Sequence, residues 1–175
     1  MKLRRIHSSD LNIMFEWRND PRIYKWCRQY APIQWESHVK WFESLVDRKD
    51  VDMFIIEDVP SQRVGVLGLT DIDNVNRRAE FSIYINPIDQ GKGYGERALN
   101  ELLKYSFNDR NLYSVWGETF ANNPATKLFL KVGMREDGVR RNFYFREGKY
   151  INARLFSITS AEWGNTLISS PNYQG

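Results

Sequence analysis

The feature that most constrains the fold is a change of hydrophobic period around a cluster of glycines at residues 90–95. Before the cluster, residues 81–86 alternate between apolar and more polar side chains, a period of two that is typical of a strand. After it, apolar residues recur at intervals of three and four, as on one face of a helix. These residues are Ala98, Leu99, Leu102, Leu103 and Phe107. The segment therefore predicts a strand that ends before Pro87, a glycine-rich turn, and a helix that begins near Lys92.

The turn has the composition of an anion-binding loop. Gly91, Gly93 and Gly95 carry no side chains, so backbone N–H groups can converge on an anion beside the positive end of the helix dipole. Two familiar phosphate motifs do not fit, because a P-loop would need glycine at Asn86 and a dinucleotide fingerprint would need glycine at Glu96. The loop is interpreted as a pyrophosphate-binding site. The alternative is a tight turn between strand and helix that contains glycine for conformational reasons and binds no ligand.

The rest of the chain alternates between predicted strands and helices. Strands are predicted at residues 2–6, 51–57, 63–72, 78–86, 113–119, 142–146 and 149–159. Helices are predicted at residues 8–19, after Pro32, at 92–109 and at 122–134. Because a strand, helix, strand unit is usually a parallel crossover, strand 113–119 should lie beside the strand that carries Glu80. One domain is expected over residues 1–163, followed by a disordered tail at 164–175.

Composition bounds the class of protein. A chain of 175 residues with 42% hydrophobic residues can fill one core, and no apolar run approaches the roughly 20 residues needed to cross a bilayer. We therefore expect a cytoplasmic protein with no membrane partner. A single cysteine and two histidines predict neither an internal disulfide nor a metal cluster. The net charge of +3 is modest and dispersed, so nucleic acid is not expected as a partner, whereas anionic small molecules are compatible.

Two motifs resemble the GNAT superfamily of N-acetyltransferases. Gln90-x-x-Gly93-x-Gly95, directly after a strand, resembles its acetyl-CoA pyrophosphate loop. A second segment resembles its pattern Asn-x-x-(Ser/Ala)-x-x-Leu-Tyr-x-Lys-x-Gly-Phe. The matching residues are Asn122, Ala125, Leu128, Lys131 and Gly133. The resemblance covers nearly the whole chain. It implies one α/β (α+β) domain with a mixed, mostly antiparallel central sheet that is splayed at the cofactor site and has helices on both faces.

The resemblance also implies a branch and a cofactor. Residues 17–21, His38 and the pair Glu80-Phe81 resemble the branch of ribosomal-protein alanine acetyltransferases and bacterial amino-sugar acetyltransferases, which include enzymes of pseudaminic acid biosynthesis. Acetyl-CoA is implied as the co-substrate, without a metal. The cofactor contacts implied for this sequence are Ile83, Tyr84, Ile85, Gln90, Gly91, Lys92, Gly93, Tyr94, Gly95, Glu96, Asn122 and Phe129. A simple helix cap would explain Asn122 equally well.

Acetyl transfer to an amine requires a base, because an alkyl ammonium titrates near 10. Glu80 is the candidate, since it shares a strand face with Ser82 and Tyr84 at the start of the splayed strand. The alternative is that Glu80 only forms a surface ion pair with Arg77 or Arg78.

The departing thiolate has no obvious acid in this sequence. The GNAT pattern carries a tyrosine where this chain has Phe129. A thiol titrates near 8.5, so its thiolate can leave without direct protonation. Tyr84, Tyr144 or water could replace the missing tyrosine, and the sequence does not distinguish among them.

The acceptor site is predicted from a basic and aromatic segment near the N-terminus. The candidate acceptor-binding residues are Trp17, Arg18, Tyr24, Trp26, Arg28 and His38. Guanidinium groups and aromatic rings favour an anionic, ring-bearing amine, so a nucleotide-linked amino sugar is the expected acceptor. A protein N-terminus, a polyamine, and a CoA-binding regulatory module without catalysis are the alternatives. The sequence leaves open whether two chains form a homodimer.

Overall fold

The computed structural model describes residues 1–59 and 62–168. The strands are β1 (Lys2–Arg5), β2 (Asp52–Glu57), β3 (Arg63–Asp73), β4 (Arg78–Ile85), β5 (Ser114–Phe120), β6 (Arg135–Arg146) and β7 (Lys149–Thr159). The helices are α1 (Leu11–Arg18), α2 (Pro21–Tyr24), α3 (Trp35–Ser44), α4 (Tyr94–Lys104), α5 (Thr126–Lys131) and α6 (Ser160–Ile168). A π-helical turn, Tyr105–Asp109, continues α4.

The described residues form one seven-stranded sheet in the order β1-β2-β3-β4-β5-β7-β6. Neighbouring strands run antiparallel except β4 and β5, which run parallel because α4 crosses from the end of one to the start of the other. This arrangement confirms the predicted mixed, mostly antiparallel sheet.

The sheet opens between its two central strands. Strands β4 and β5 are paired at three positions, Arg78 with Ser114, Ala79 with Val115 and Glu80 with Trp116. Beyond Glu80, β4 continues to Ile85 without a partner on this side, while β5 turns away to pair with β7 along its whole length. The predicted splay is therefore present, and one edge of residues 81–85 is left open.

Helices cover both faces of the sheet, as the strand alternation requires. On β2, Phe54 and Ile56 join the main core under α4 and α5, while Ile55 joins a smaller core with Met14 of α1 and Ile23 of α2. The even-numbered residues of β4 face the α1 to α3 side, which therefore holds the polar face predicted at Glu80.

The main differences from the sequence prediction concern four elements. The helix after the glycine turn begins at Tyr94 instead of Lys92, because Gly93 is its left-handed N-cap. Helix α5 begins at Thr126, and strand β6 begins at Arg135, seven residues before the predicted start at Asn142. Helix α6 includes the first part of the tail predicted at 164–175, and residues 169–175 of that tail lie outside the described residues.

Gly68 lies where β2 and β3 approach each other most closely, and this predicts a large effect on stability. A Cβ at Gly68 would overlap the carbonyl oxygen of Asp52 and come within 3.0 Å of Met53 Cα, both on the paired strand. Because backbone atoms cannot rotate away, we expect Gly68→Ala to lower the free energy of unfolding by about 1–3 kcal/mol in chemical denaturation. Gly138→Ala is the matched control, since nothing lies within 4 Å of its Cβ. Equal losses in the two variants would contradict the assigned strand register.

Candidate active site

The glycine loop forms an open, left-handed entry to α4. Gly91 and Gly93 have φ of 78° and 80°, and a Cβ built on either would touch nothing within 4 Å. The space beside both glycines, where a side chain would otherwise stand, is thus open. Gly95 differs, because its Cβ would lie 3.0 Å from Leu128 Cδ2. Gly95 therefore permits the close approach of α4 to α5.

Short contacts within the loop hold its backbone in place. Gln90 Nε2 donates to the carbonyl oxygen of Ile85 at 3.1 Å, and Lys92 Nζ lies 2.8 Å from Asp89 Oδ1. Tyr94 is buried, and its hydroxyl donates to Asp58 Oδ2 at 2.8 Å, so its ring supports the loop from below. The side chains of these predicted cofactor residues therefore stabilise the loop.

The other predicted cofactor residues lie on β4, after β5, and on helices α4 and α5. Phe129 is buried, with its ring 5.0 Å from that of Phe81 and 5.5 Å from that of Phe156. Asn122 is exposed at the end of β5, while Asn123 accepts the N–H of Ala125 at 2.9 Å. The helix-cap explanation considered for Asn122 is therefore wrong, because the neighbouring asparagine takes that role. Glu96, in the first turn of α4, pairs with Lys131 at 2.5 Å.

Two buried carboxylates meet at the point where β4 and β5 separate. The side chain of Glu80 is 7% exposed and that of Glu118, on β5, is 3% exposed. Arg28 donates to both carboxylate oxygens of Glu80 and lies 3.7 Å from Glu118. The surface pairing of Glu80 with Arg77 or Arg78 is therefore wrong, because its carboxylate is buried and faces the N-terminal segment.

Tyr144 and Arg140 complete this cluster around Glu118. Arg140 Nη1 donates to Glu118 Oε2 at 2.6 Å, and the Tyr144 hydroxyl donates to Glu118 Oε1. Burial and this hydrogen bond raise the pKa of Tyr144 to about 12, so its proton is held firmly at neutral pH. A phenol with this pKa is a weak acid toward a departing thiolate.

An open pocket of about 710 Å³ adjoins the cluster. Its walls come from the segment after α2, the end of β5, and the β6–β7 hairpin. The lining residues are Lys25, Trp26, Tyr30, Phe120, Ala121, Asn122, Asn142, Arg146, Glu147, Lys149, Tyr150, Ile151 and Asn152. The Arg146 guanidinium carbon lies 5.1, 5.5 and 5.3 Å from the ring centroids of Tyr30, Phe120 and Tyr144.

The pocket is cationic and aromatic. Among the described residues, Lys25, Arg146 and Lys149 form no salt bridge, and the pocket's one acid, Glu147, accepts a hydrogen bond from Tyr30. Lys25 Nζ lies over the Trp26 ring, 5.2 Å from the ring centroid. The pocket can therefore pair a negatively charged, ring-bearing ligand with cations and flat surfaces.

The predicted acceptor residues divide among four environments. Trp26 lines the large pocket and Arg28 bridges the two glutamates, while Tyr24 contacts Tyr30 with ring centroids 6.3 Å apart. Arg18 and His38 line a second cavity of about 240 Å³ together with Tyr84. Trp17 is 7% exposed and packs in the small core, so its burial favours a packing role over contact with an acceptor.

Sequence reasoning missed Glu118 and the hairpin residues of the large pocket. The signal for Glu118 was present, because strand 113–119 was predicted beside the strand of Glu80, and a period of two puts Trp116 and Glu118 on one face. The hairpin residues gave no comparable signal, since their approach to the segment after α2 depends on tertiary packing.

Neither a metal nor a membrane is indicated by the described residues. They include no group of three or more His, Cys, Asp or Glu side chains placed to hold a metal ion. Across the same ranges, no helix is long and apolar enough to span a bilayer.

Comparisons with known proteins agree with this geometry. The family model described as acetyltransferase (GNAT) domain matches residues 1–135. The spermidine N(1)-acetyltransferase of Escherichia coli K12 is 30% identical over 180 residues, covering 96% of this chain and 94% of the relative. Acetyltransferase PseH of Campylobacter jejuni strain 81-176 is 26% identical over 126 residues, covering 71% of this chain and 76% of the relative.

One solved structure extends the similarity to the whole fold. The spermidine N-acetyltransferase from Vibrio cholerae, in complex with CoA and spermine, superposes with a TM-score of 0.89 at 25% identity. The match covers 94% of this chain and 98% of that protein.

Proposed function

Because the chain belongs to the GNAT acetyltransferase family, we propose that it transfers an acetyl group from acetyl-CoA directly to the primary amine of a nucleotide-linked amino sugar. The observation that carries the choice of acceptor is the cationic, aromatic pocket beside Glu80 and Glu118. The thioester supplies an activated acetyl group, and the protein supplies binding, orientation and proton transfer.

Residues of the loop and the open strand fit CoA. Gly91 and Gly93 have open space where a Cβ would stand, and a diphosphate would be held by backbone N–H groups of residues 91–96 at the N-terminus of an eleven-residue helix. The open edge of residues 81–85 offers backbone groups to the amides of a pantetheine arm, as an added strand would use them. A backbone N–H on this edge would also polarise the thioester carbonyl.

Glu80 is proposed to hold or remove the acceptor's proton, directly or through water. Its carboxylate lies at the position where β4 leaves β5, so it flanks the reacting atoms in this arrangement. Arg28, whose side chain is 52% exposed, forms a salt bridge with the Glu80 carboxylate. When an amine binds, Arg28 must move away or leave one carboxylate oxygen to the amine. The thiolate leaves without a proton from either residue, because Phe129 has no hydroxyl group and the Tyr144 hydroxyl donates its hydrogen bond to Glu118.

A polyamine is the second candidate acceptor, and the comparisons favour it. Relatives named spermidine N(1)-acetyltransferase align over at least 94% of both chains, whereas the PseH match covers 71% of this chain. Glu80 and Glu118 would also suit an ammonium group. However, a polyamine carries several positive charges, and the large pocket offers it three unpaired cations and one carboxylate. Charge complementarity therefore favours the anionic acceptor.

An acceptor panel tests this choice. With acetyl-CoA present, thiol release should be fastest with amino-sugar nucleotides and slower with spermidine or N-terminal peptides. Lys149→Gln should raise KM for the sugar nucleotide about tenfold, since one charge-assisted contact is lost, and should not impair spermidine turnover. Lys104→Gln, an exposed change at the end of α4, is the control. Turnover restricted to spermidine or to peptides would reject the sugar proposal.

A further inference from the structure

The second cavity lies on the same side of the sheet as Glu80 but is separate from the large pocket. Its volume is about 240 Å³, and it lies between α1, α3 and strands β2 to β4. Its lining residues are Met14, Arg18, Gln29, Ile33, Ser37, His38, Trp41, Met53, Val66 and Tyr84. The walls are mainly apolar, and none of these residues is an acid.

Arg18 brings an uncompensated charge to this cavity. Its Nη1 is buried and has no hydrogen-bond partner among the described residues, and Nη2 reaches only the carbonyl oxygen of Gln29, at 3.3 Å. No carboxylate of the described chain forms a salt bridge with Arg18. The guanidinium therefore adds one positive charge to a mainly apolar cavity that has no acid, and an anion in the cavity would balance it.

The other polar groups in the cavity add donors without adding charge. The Tyr84 hydroxyl has no hydrogen-bond partner among the described residues, and burial raises the pKa of Tyr84, so it stays protonated. His38 Nε2 donates to the Leu11 carbonyl at 3.1 Å, and burial lowers the pKa of this histidine, so the ring is neutral at pH 7. The cavity therefore carries a single positive charge, and the Tyr84 hydroxyl is an unused donor beside it.

We propose that this cavity binds a small monoanionic carboxylate with a flat, apolar body. The carboxylate accepts from the Tyr84 hydroxyl and lies beside the Arg18 guanidinium, and the apolar body packs against Trp41 and Met14. The volume is that of about eight water molecules, which suits a single ring with one substituent. A dianionic phosphate fits less well, because one guanidinium would leave a net negative charge in an apolar cavity.

Calorimetric titration of the full-length protein with benzoate tests the proposal, and benzamide is the uncharged probe of the same shape. Benzoate should bind with measurable heat and benzamide should not. Arg18→Met should weaken benzoate binding by about tenfold or more. The matched control, Arg22→Met, removes an exposed arginine that is already paired with Asp20, and should leave binding unchanged. Equal binding of both probes, or no binding of benzoate, would overturn the proposal.

Thermal unfolding supplies an independent readout. If Arg18 is retained for an anion, removing its unpaired charge should raise the unfolding midpoint of the ligand-free protein by about 1–4 °C. A lower midpoint in Arg18→Met would show that the arginine stabilises the fold and would overturn the proposal. These measurements use the protein without CoA or acceptor, so their outcome is independent of the proposed acetyl transfer.

Discussion

Gly93→Val is expected to weaken CoA binding at least about 100-fold while the protein remains folded. Gly93 is the left-handed N-cap of α4, and a branched side chain there would project into open space beside the helix N-terminus, where the diphosphate is proposed to lie. Losing even two charge-assisted hydrogen bonds is enough for a change of this size. Isothermal titration with CoA measures it.

A matched glycine separates ligand binding from backbone strain. Gly148 has φ of 76°, close to the 80° of Gly93, and its Cβ would also meet nothing within 4 Å. Gly148→Val therefore introduces a similar left-handed strain at the tip of the β6–β7 hairpin, far along the chain from the loop. We expect both variants to lose comparable stability and only Gly93→Val to lose CoA. Similar CoA affinities in the two variants would contradict the pyrophosphate-binding site.

Glu80→Gln is expected to lower kcat by about 10²- to 10⁴-fold near neutral pH, with little change in CoA affinity. The amide is nearly the same size and can still accept a hydrogen bond from Arg28, but it cannot take a proton from the acceptor. An alkyl ammonium loses its proton near pH 10, so the need for a base falls as pH rises. The deficit should therefore shrink steadily between pH 7 and pH 10 in steady-state assays.

Glu136→Gln is the matched control for this prediction. Both carboxylate oxygens of Glu136 accept from Arg154, from Nε and Nη2, much as both oxygens of Glu80 accept from Arg28, but Glu136 lies on β6 outside both pockets. We expect its kcat and pH profile to match the parent protein. A pH-independent deficit in Glu80→Gln would assign Glu80 to positioning Arg28 and exclude it as the base.

The fold could be predicted because its periodicities are local. The switch from a period of two to one of three and four around the glycines located β4 and α4, and the handedness of a crossover placed β5 beside β4. The length of β6 was underestimated because Arg135 and its neighbours are mostly exposed and show no apolar alternation. The π-helical turn after α4 likewise leaves no distinctive sequence pattern.

The candidate site was only partly predictable. Side chains on one strand, such as Glu80 and Tyr84, could be assigned to a face by period alone. The pairing of Arg28 with Glu80 joins residues 52 positions apart, and no local pattern specifies it. The position of Arg18 in the second cavity could not be predicted for the same reason, because it depends on how α1 and α3 pack on the sheet.

The central claim is that backbone amides after β4 hold the diphosphate of CoA, and titration of the parent protein tests it most directly. CoA and pantetheine share the thiol arm, but only CoA carries the diphosphate. We predict one CoA bound per chain and at least about 100-fold weaker binding of pantetheine. Equal affinity for the two compounds, or no heat with CoA from well-folded protein, would contradict the claim.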